Sequence, residues 1–189
     1  MHISLRDHIE KIVSLTDEEF AFVQCHFTLQ QFKKNDFLIT EGNPVRHTYF
    51  VLSGLLKLIH TDAMSKEHII AFAMEDWWES DFFAFYKGTK ATMSLQCLED
   101  TTVLCLKLDG YNSLCSGLHK MEHFLLMKAN AGHIAAQQRI LSFLTSNARE
   151  RYEQLISHYP ALYQRVPKTQ LASYLGVSRE TLSRLSSNL

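Results

Sequence analysis

The segment that most limits what this chain can fold into is residues 168–189, KTQLASYLGVSRETLSRLSSNL. Leu171, Ala172 and Leu175 recur at helical spacing until Gly176 interrupts them. After Val177, Leu182, Leu185 and Leu189 resume the apolar stripe. The pattern predicts two short amphipathic helices joined by a tight turn, a helix-turn-helix. Gly176 suits a turn residue that needs φ > 0. Ala172 is small enough for a close helix crossing, and Ser178 is a good N-cap for the second helix. With Leu182 and Leu185 inward, Arg179, Glu180, Ser183 and Arg184 share the outward face. Those side chains suit a major groove, where arginine forks onto guanine and glutamate accepts from cytosine. Lys168, Thr169 and Gln170, which open the first helix, are candidates for phosphate contacts. A solvated helical hairpin is the plainer alternative, but turn, cap, spacing and charges agree on a DNA-reading unit.

Charge is distributed in keeping with that. Residues 1–117 hold 10 Lys/Arg against 16 Asp/Glu, and residues 118–189 hold 9 against 4. An anionic partner is therefore expected at the C-terminal end alone. No apolar run approaches a membrane span, and MHISLRDHIE lacks the apolar core of a secretory signal, so the protein is expected in the cytoplasm. Cys25, Cys97, Cys105 and Cys115 show no C-x-x-C spacing, which predicts reduced thiols rather than zinc or redox sites. His119 and His123 stand at i, i+4 without an evident third ligand, so no metal is expected there.

Leu5, Ile9, Ile12 and Val13 predict a first helix, and Thr16 with Glu19 a capping box that starts a second. From Phe27 onward the pattern changes to short apolar runs broken by turns. Strands are expected near residues 49–59, with a Ser-Gly interruption, and at 68–73, 92–98 and 102–108, the layout of a compact barrel or jelly roll. An aromatic block, WWESDFFAFY, lies among them at residues 77–86. A short helix is expected at residues 109–115, then one long helix over 118–145 in which Ala129, Gly132 and Ala136 form a small-residue patch. A further helix starts near Ala148, and Pro160 and Pro167 are expected to bracket a short connection.

Two segments carry a family resemblance. GVSRETLSRL, residues 176–185, resembles the recognition segment of the Crp/Fnr family of bacterial transcription regulators. YFVLSGLLKL, residues 49–58, resembles the central hairpin of that family's cyclic-nucleotide-binding β-roll. The resemblance implies base contacts by Arg179, Glu180 and Arg184, with Ser178 and Thr181 touching backbone or bases. It implies an α+β chain in three parts. These are a β-roll or jelly-roll sensor over 1–117, a dimerisation helix over 118–145, and a small all-α helix-turn-helix domain over 146–189. No C-terminal wing is expected, and the small domain is expected to lean on the dimer helix. Implied partners are double-stranded DNA, a second copy of the chain and, as a further candidate, RNA polymerase.

The sensor departs from the family's cyclic AMP pattern. Ser80 falls where a ribose-binding Glu belongs, and Lys90-Ala91-Thr92 where Arg followed by Ser or Thr belongs. No Arg lies between Arg46 and Arg139, and Glu79 and Asp81 would oppose an anion. Cyclic AMP is therefore not an expected ligand. Trp78, Ser80, Asp81, Lys90 and Thr92 would line any altered pocket for another small effector; otherwise the aromatics simply fill the roll. An iron–sulfur centre like that of the family's oxygen sensors is not expected, since only Cys25 lies near the N-terminus. Two rival functions remain. One is a ligand-binding regulator that acts on proteins and keeps a vestigial DNA-binding head. The other, a cupin-like enzyme, is disfavoured because His47, His60 and His68 are isolated and form no His-x-His pair.

Overall fold

The computed structural model describes residues 3–187. Helices α1 (Ile3–Glu10) and α2 (Asp17–Gln24) precede strands β1 (Phe27–Phe32), β2 (Phe37–Ile39), β3 (His47–Ser53), β4 (Leu56–Thr61), β5 (Glu67–Ala73) and β6 (Trp78–Glu79). Helix α3 (Phe82–Lys87) separates these from β7 (Ser94–Cys97) and β8 (Thr101–Lys107). Helices α4 (Leu108–Gly117), α5 (His119–Thr145), α6 (Ala148–His158), α7 (Pro160–Arg165), α8 (Lys168–Leu175) and α9 (Arg179–Ser187) follow.

The strands form two antiparallel sheets, ordered β1-β8-β3-β6 and β2-β7-β4-β5, so consecutive strands often switch sheets, as in a jelly roll. Alternation along β3 sorts its side chains between two cores. Tyr49 and Val51 enter the roll with Leu56, Leu58, Leu95 and Val103. Phe50, between them, turns outward to a second core with Leu5, Ile9, Leu114, Met121 and Phe124 from α1, α4 and α5. That core explains why the N-terminal helices exist as ordered elements: they cover an apolar sheet face. Thr16 and Glu19 make the expected capping box, Thr16 Oγ1 accepting from Glu19 N and Glu19 Oε2 from Thr16 N. Helix α1 ends at Glu10, however, and Ile12 and Val13 lie in the turn after it, their backbone N–H groups donating to Ile9 O.

A third core shows that the C-terminal unit leans on the roll as well as on the long helix. Leu55, Ile59, Ile69, Phe72 and Leu98 of the roll join Tyr152, Leu155, Leu162, Val166, Leu171, Ala172, Leu175 and Leu182. The outer face of β4 and β5 is apolar, and the C-terminal helices bury it. The expected connection between Pro160 and Pro167 is instead helix α7, with Pro160 at its first turn, where a missing N–H costs nothing. Its Arg165 reaches back to the roll. Nη1 donates to Glu75 Oε2 at 2.7 Å and Nη2 to Glu99 Oε2 at 2.7 Å, two charge-assisted contacts that tie α7 to the loops after β5 and β7. Arg139 on α5 is the second tie. Its guanidinium lies 3.6 Å from the Tyr174 ring centre and donates to Ile69 O and Tyr174 O, joining α5, β5 and α8.

Candidate nucleic-acid interface and sensor pocket

Helix α8 stops at Gly176, whose φ of 68° is the left-handed conformation that glycine adopts without strain. A Cβ there would also sit 3.0 Å from the Phe143 ring, so the turn is fitted against α5. Ser178 then caps α9, its Oγ accepting from Thr181 N at 3.1 Å. Leu182 is buried and Leu185 half-buried against the third core, which turns Arg179, Glu180, Ser183 and Arg184 outward. These four line one shallow surface. The Glu180 carboxyl is held below its ordinary range by its own backbone N–H, then by the Ser178 hydroxyl, so it is an anionic acceptor at neutral pH. Thr181 is half-exposed, and Arg184 Nη2 approaches its Oγ1 at 3.4 Å. Lys168 and Thr169 are exposed, while Gln170 is half-buried with its Oε1 turned into the protein. Leu189 lies outside the described residues.

Sequence reasoning did not anticipate a cleft beside this surface. Lys66, Glu67 and His68, where β5 begins, face Thr169, Ser173, Ser178 and Arg179 across about 590 Å³. Those two stretches are about a hundred positions apart, and no local pattern announces their meeting.

The residues expected to line a sensor pocket are only partly brought together. Trp78 lies on the outer face of its sheet, against Phe27 and Phe50, and Nε1 donates to His8 Nε2 at 3.4 Å. Ser80 is buried and donates to His47 O. Asp81 is buried as the N-cap of α3, accepting from Ala84 N at 3.0 Å and from Thr92 N and Oγ1 at 2.7 and 3.0 Å. Ser80, Asp81 and Thr92 are thus brought together but engaged in structural bonds, while Lys90 stays exposed at a bridge to Pro44. Of the two opposing charges expected, Glu79 does not act as one. The Asp81 carboxylate is satisfied within the fold. Glu79 lies opposite Tyr49 with its carboxyl buried, and burial pushes its pKa up to about 8. The aromatic block fills the roll only in part. Trp77 and Phe85 pack into it, whereas Phe82, Phe83 and Tyr86 are exposed, because a helix one turn and a half long can bury only one side. No group of three or more metal-ligating side chains occurs among the described residues.

Residues 29–117 match the cyclic nucleotide-binding domain family. No curated protein matches the chain in sequence. Among solved structures, FixK2 from Bradyrhizobium japonicum superposes with a TM-score of 0.71 at 18% identity, covering 86% of this chain and 84% of that one. CLP, the c-di-GMP-responsive global regulator of Xanthomonas campestris, gives 0.71 at 14% identity, covering 92% and 91%. The catabolite activator protein of Thermus thermophilus gives 0.55 at 23% identity, covering 93% and 84%. Residues 29–117 therefore form a β-roll similar to that of the cyclic nucleotide-binding domain family, followed by helices in an α+β fold, and the resemblance to Crp/Fnr regulators holds at the level of that fold.

Proposed function

We propose that this protein is a homodimeric, sequence-specific DNA-binding transcription regulator of the Crp/Fnr type, with a sensor roll that does not follow the cyclic AMP pattern. The observation that carries the reading is helix α9, with Leu182 buried and Arg179, Glu180, Ser183 and Arg184 exposed together on its outer side. A helix so capped, supported from behind and faced with forked donors and one acceptor suits a major groove. Ser178 and Thr181 at its start, with Lys168, Thr169 and Gln170 on α8, would hold the flanking backbone. The test is a binding titration on duplexes enriched from a randomised pool. Arg179→Ala and Arg184→Ala should each weaken binding by roughly 1–3 kcal/mol and relax base preference at one position. Equal binding by wild type and both variants to every duplex would remove the assignment.

The dimer follows from α5. Leu126, Met127, Ile134, Ile140, Leu141 and Leu144 are exposed along it, with Met127, Ile134 and Leu141 spaced by seven. A Cβ at Gly132 would meet nothing within 4 Å, so that stretch of helix has room for close approach. Two such helices pairing about a two-fold axis would bury the stripe and set two α9 helices for successive grooves. Sedimentation of Ile134→Asp and Leu141→Asp variants should show a monomer where the wild type is a dimer. RNA polymerase is a further partner by resemblance. An effector that prefers one arrangement of roll and head would shift the equilibrium between them.

A further inference from the structure

The molecule offers several features that the DNA-reading helix does not use, and the cleft between the roll and α8–α9 is the one with a definable occupant. We infer that the β4–β5 hairpin belongs to the nucleic-acid interface, with Lys66 contacting a backbone phosphate of the DNA whose major groove holds α9. This rests on the DNA-binding reading above and adds a contact made by the sensor domain itself.

Lys66 is carried in a fixed relation to α9. The hairpin turn is organised by Asp62, whose Oδ1 accepts from Met64 N and Lys66 N and whose Oδ2 bonds His68 Nε2 at 2.8 Å. Strand β5 is locked to α8 through the shared core, through the Phe72–Tyr174 ring contact and through Arg139. In this arrangement the hairpin is therefore held beside α9.

The chemistry of the cleft is that of a phosphate site. Its hydroxyl-bearing wall holds Thr169, Ser173 and Ser178, all exposed, and Arg179 and Lys66 supply positive charge. The acidic groups nearby are already engaged: Glu67 pairs with the buried Lys57 at 3.0 Å, and Asp62 with His68. Among the described residues neither Lys66 nor Arg179 has a salt-bridge partner, so both cations remain for a ligand. Continuity decides the source of the phosphate. Arg179 lines both this cleft and the α9 surface. A strand of DNA following that surface runs into the cleft, where phosphates bind lysine as a point charge.

The experiment is a fluorescence anisotropy titration of the full-length dimer on enriched duplexes across a potassium chloride series. Lys66→Gln should weaken binding about 3–10-fold on every duplex and lower the salt slope by about 0.9 per protomer, while Lys66→Arg keeps both. Unchanged affinity and slope for Lys66→Gln, with Arg184→Ala still weakened, overturns this inference and leaves the DNA reading intact. No duplex enriched and no effect of Arg184→Ala overturns both. Stabilisation of the wild type but not Lys66→Gln by inorganic pyrophosphate, with DNA binding unaltered, assigns the cleft to a free anion and overturns the DNA contact. A melting temperature for Lys66→Gln equal to the wild type's excludes a folding origin for any loss.

Discussion

Raising the pH from about 6.5 to about 8.5 will lower the melting temperature of the wild-type protein, and Glu79→Gln will remove most of that fall. The Glu79 carboxyl is buried opposite Tyr49, Ser80 N donates to its Oε1 at 3.0 Å, and burial pushes its pKa from 4.5 up to about 8. A folded-state pKa above the unfolded one means the native state binds the extra proton. Its contribution is complete below about pH 4.5 and is lost as pH rises toward 8, on the order of 4 kcal/mol in all. His8 acts in the opposite sense. It is buried between Phe50 and Phe124, and burial first, then Lys128, lowers its pKa to about 4. Its native state binds fewer protons, so it contributes stability above pH 6.5 that is lost as pH falls toward 4. The two slopes oppose one another between about pH 4.5 and 6.5, where His47, also lowered by burial, acts with His8. Above that window Glu79 is the largest contributor to the descent, with the buried Cys97 and Cys105 thiols adding to it toward pH 8.5. Calorimetry on both proteins from pH 5 to 8.5 checks this; a descent that persists undiminished in Glu79→Gln assigns it to another group.

Leu171→Ala will destabilise the protein by about 2–5 kcal/mol, the cost of lost burial plus a residual cavity. Leu171 is fully buried in the core that α8 shares with Ile69 and Phe72 of β5. Because that core spans roll and head, the loss will appear in both together. Urea unfolding followed by tryptophan fluorescence, which reports Trp78 on the roll and Trp77 where the roll meets Tyr159, should coincide with far-ultraviolet circular dichroism, which reports the helices. Protomer concentration must be held constant, since assembly adds to apparent stability. Helix loss that precedes the fluorescence change would mean the head melts independently.

Local chemistry made much of this legible in advance. Gly176 and Ser178 can serve only a few backbone roles, and the apolar spacing of Leu171, Leu175 and Leu182 has one period; turn, cap and inward face followed from them. The capping box at Thr16 and the alternation along residues 49–58 were readable for the same reason. The sensor pocket was not. Trp78 and Ser80 are two positions apart, yet Trp78 faces the outer core and Ser80 bonds inside, because β6 pairs with β3 for only two residues before α3 begins. Asp81 reads as a pocket side chain until Thr92 and the α3 backbone are seen to occupy its oxygens.

Periodicity, caps and special backbone positions depend on near neighbours, so the amino-acid order alone determined most of the elements, though not α7, and the outward face of α9. The docking of the head on β4–β5, the grip of Arg165 on Glu75 and Glu99, and the meeting of Lys66 with Arg179 were decided only in three dimensions. Each joins residues roughly 65 to 115 positions apart, and such pairings are selected by which apolar faces remain to be covered once the local elements have formed.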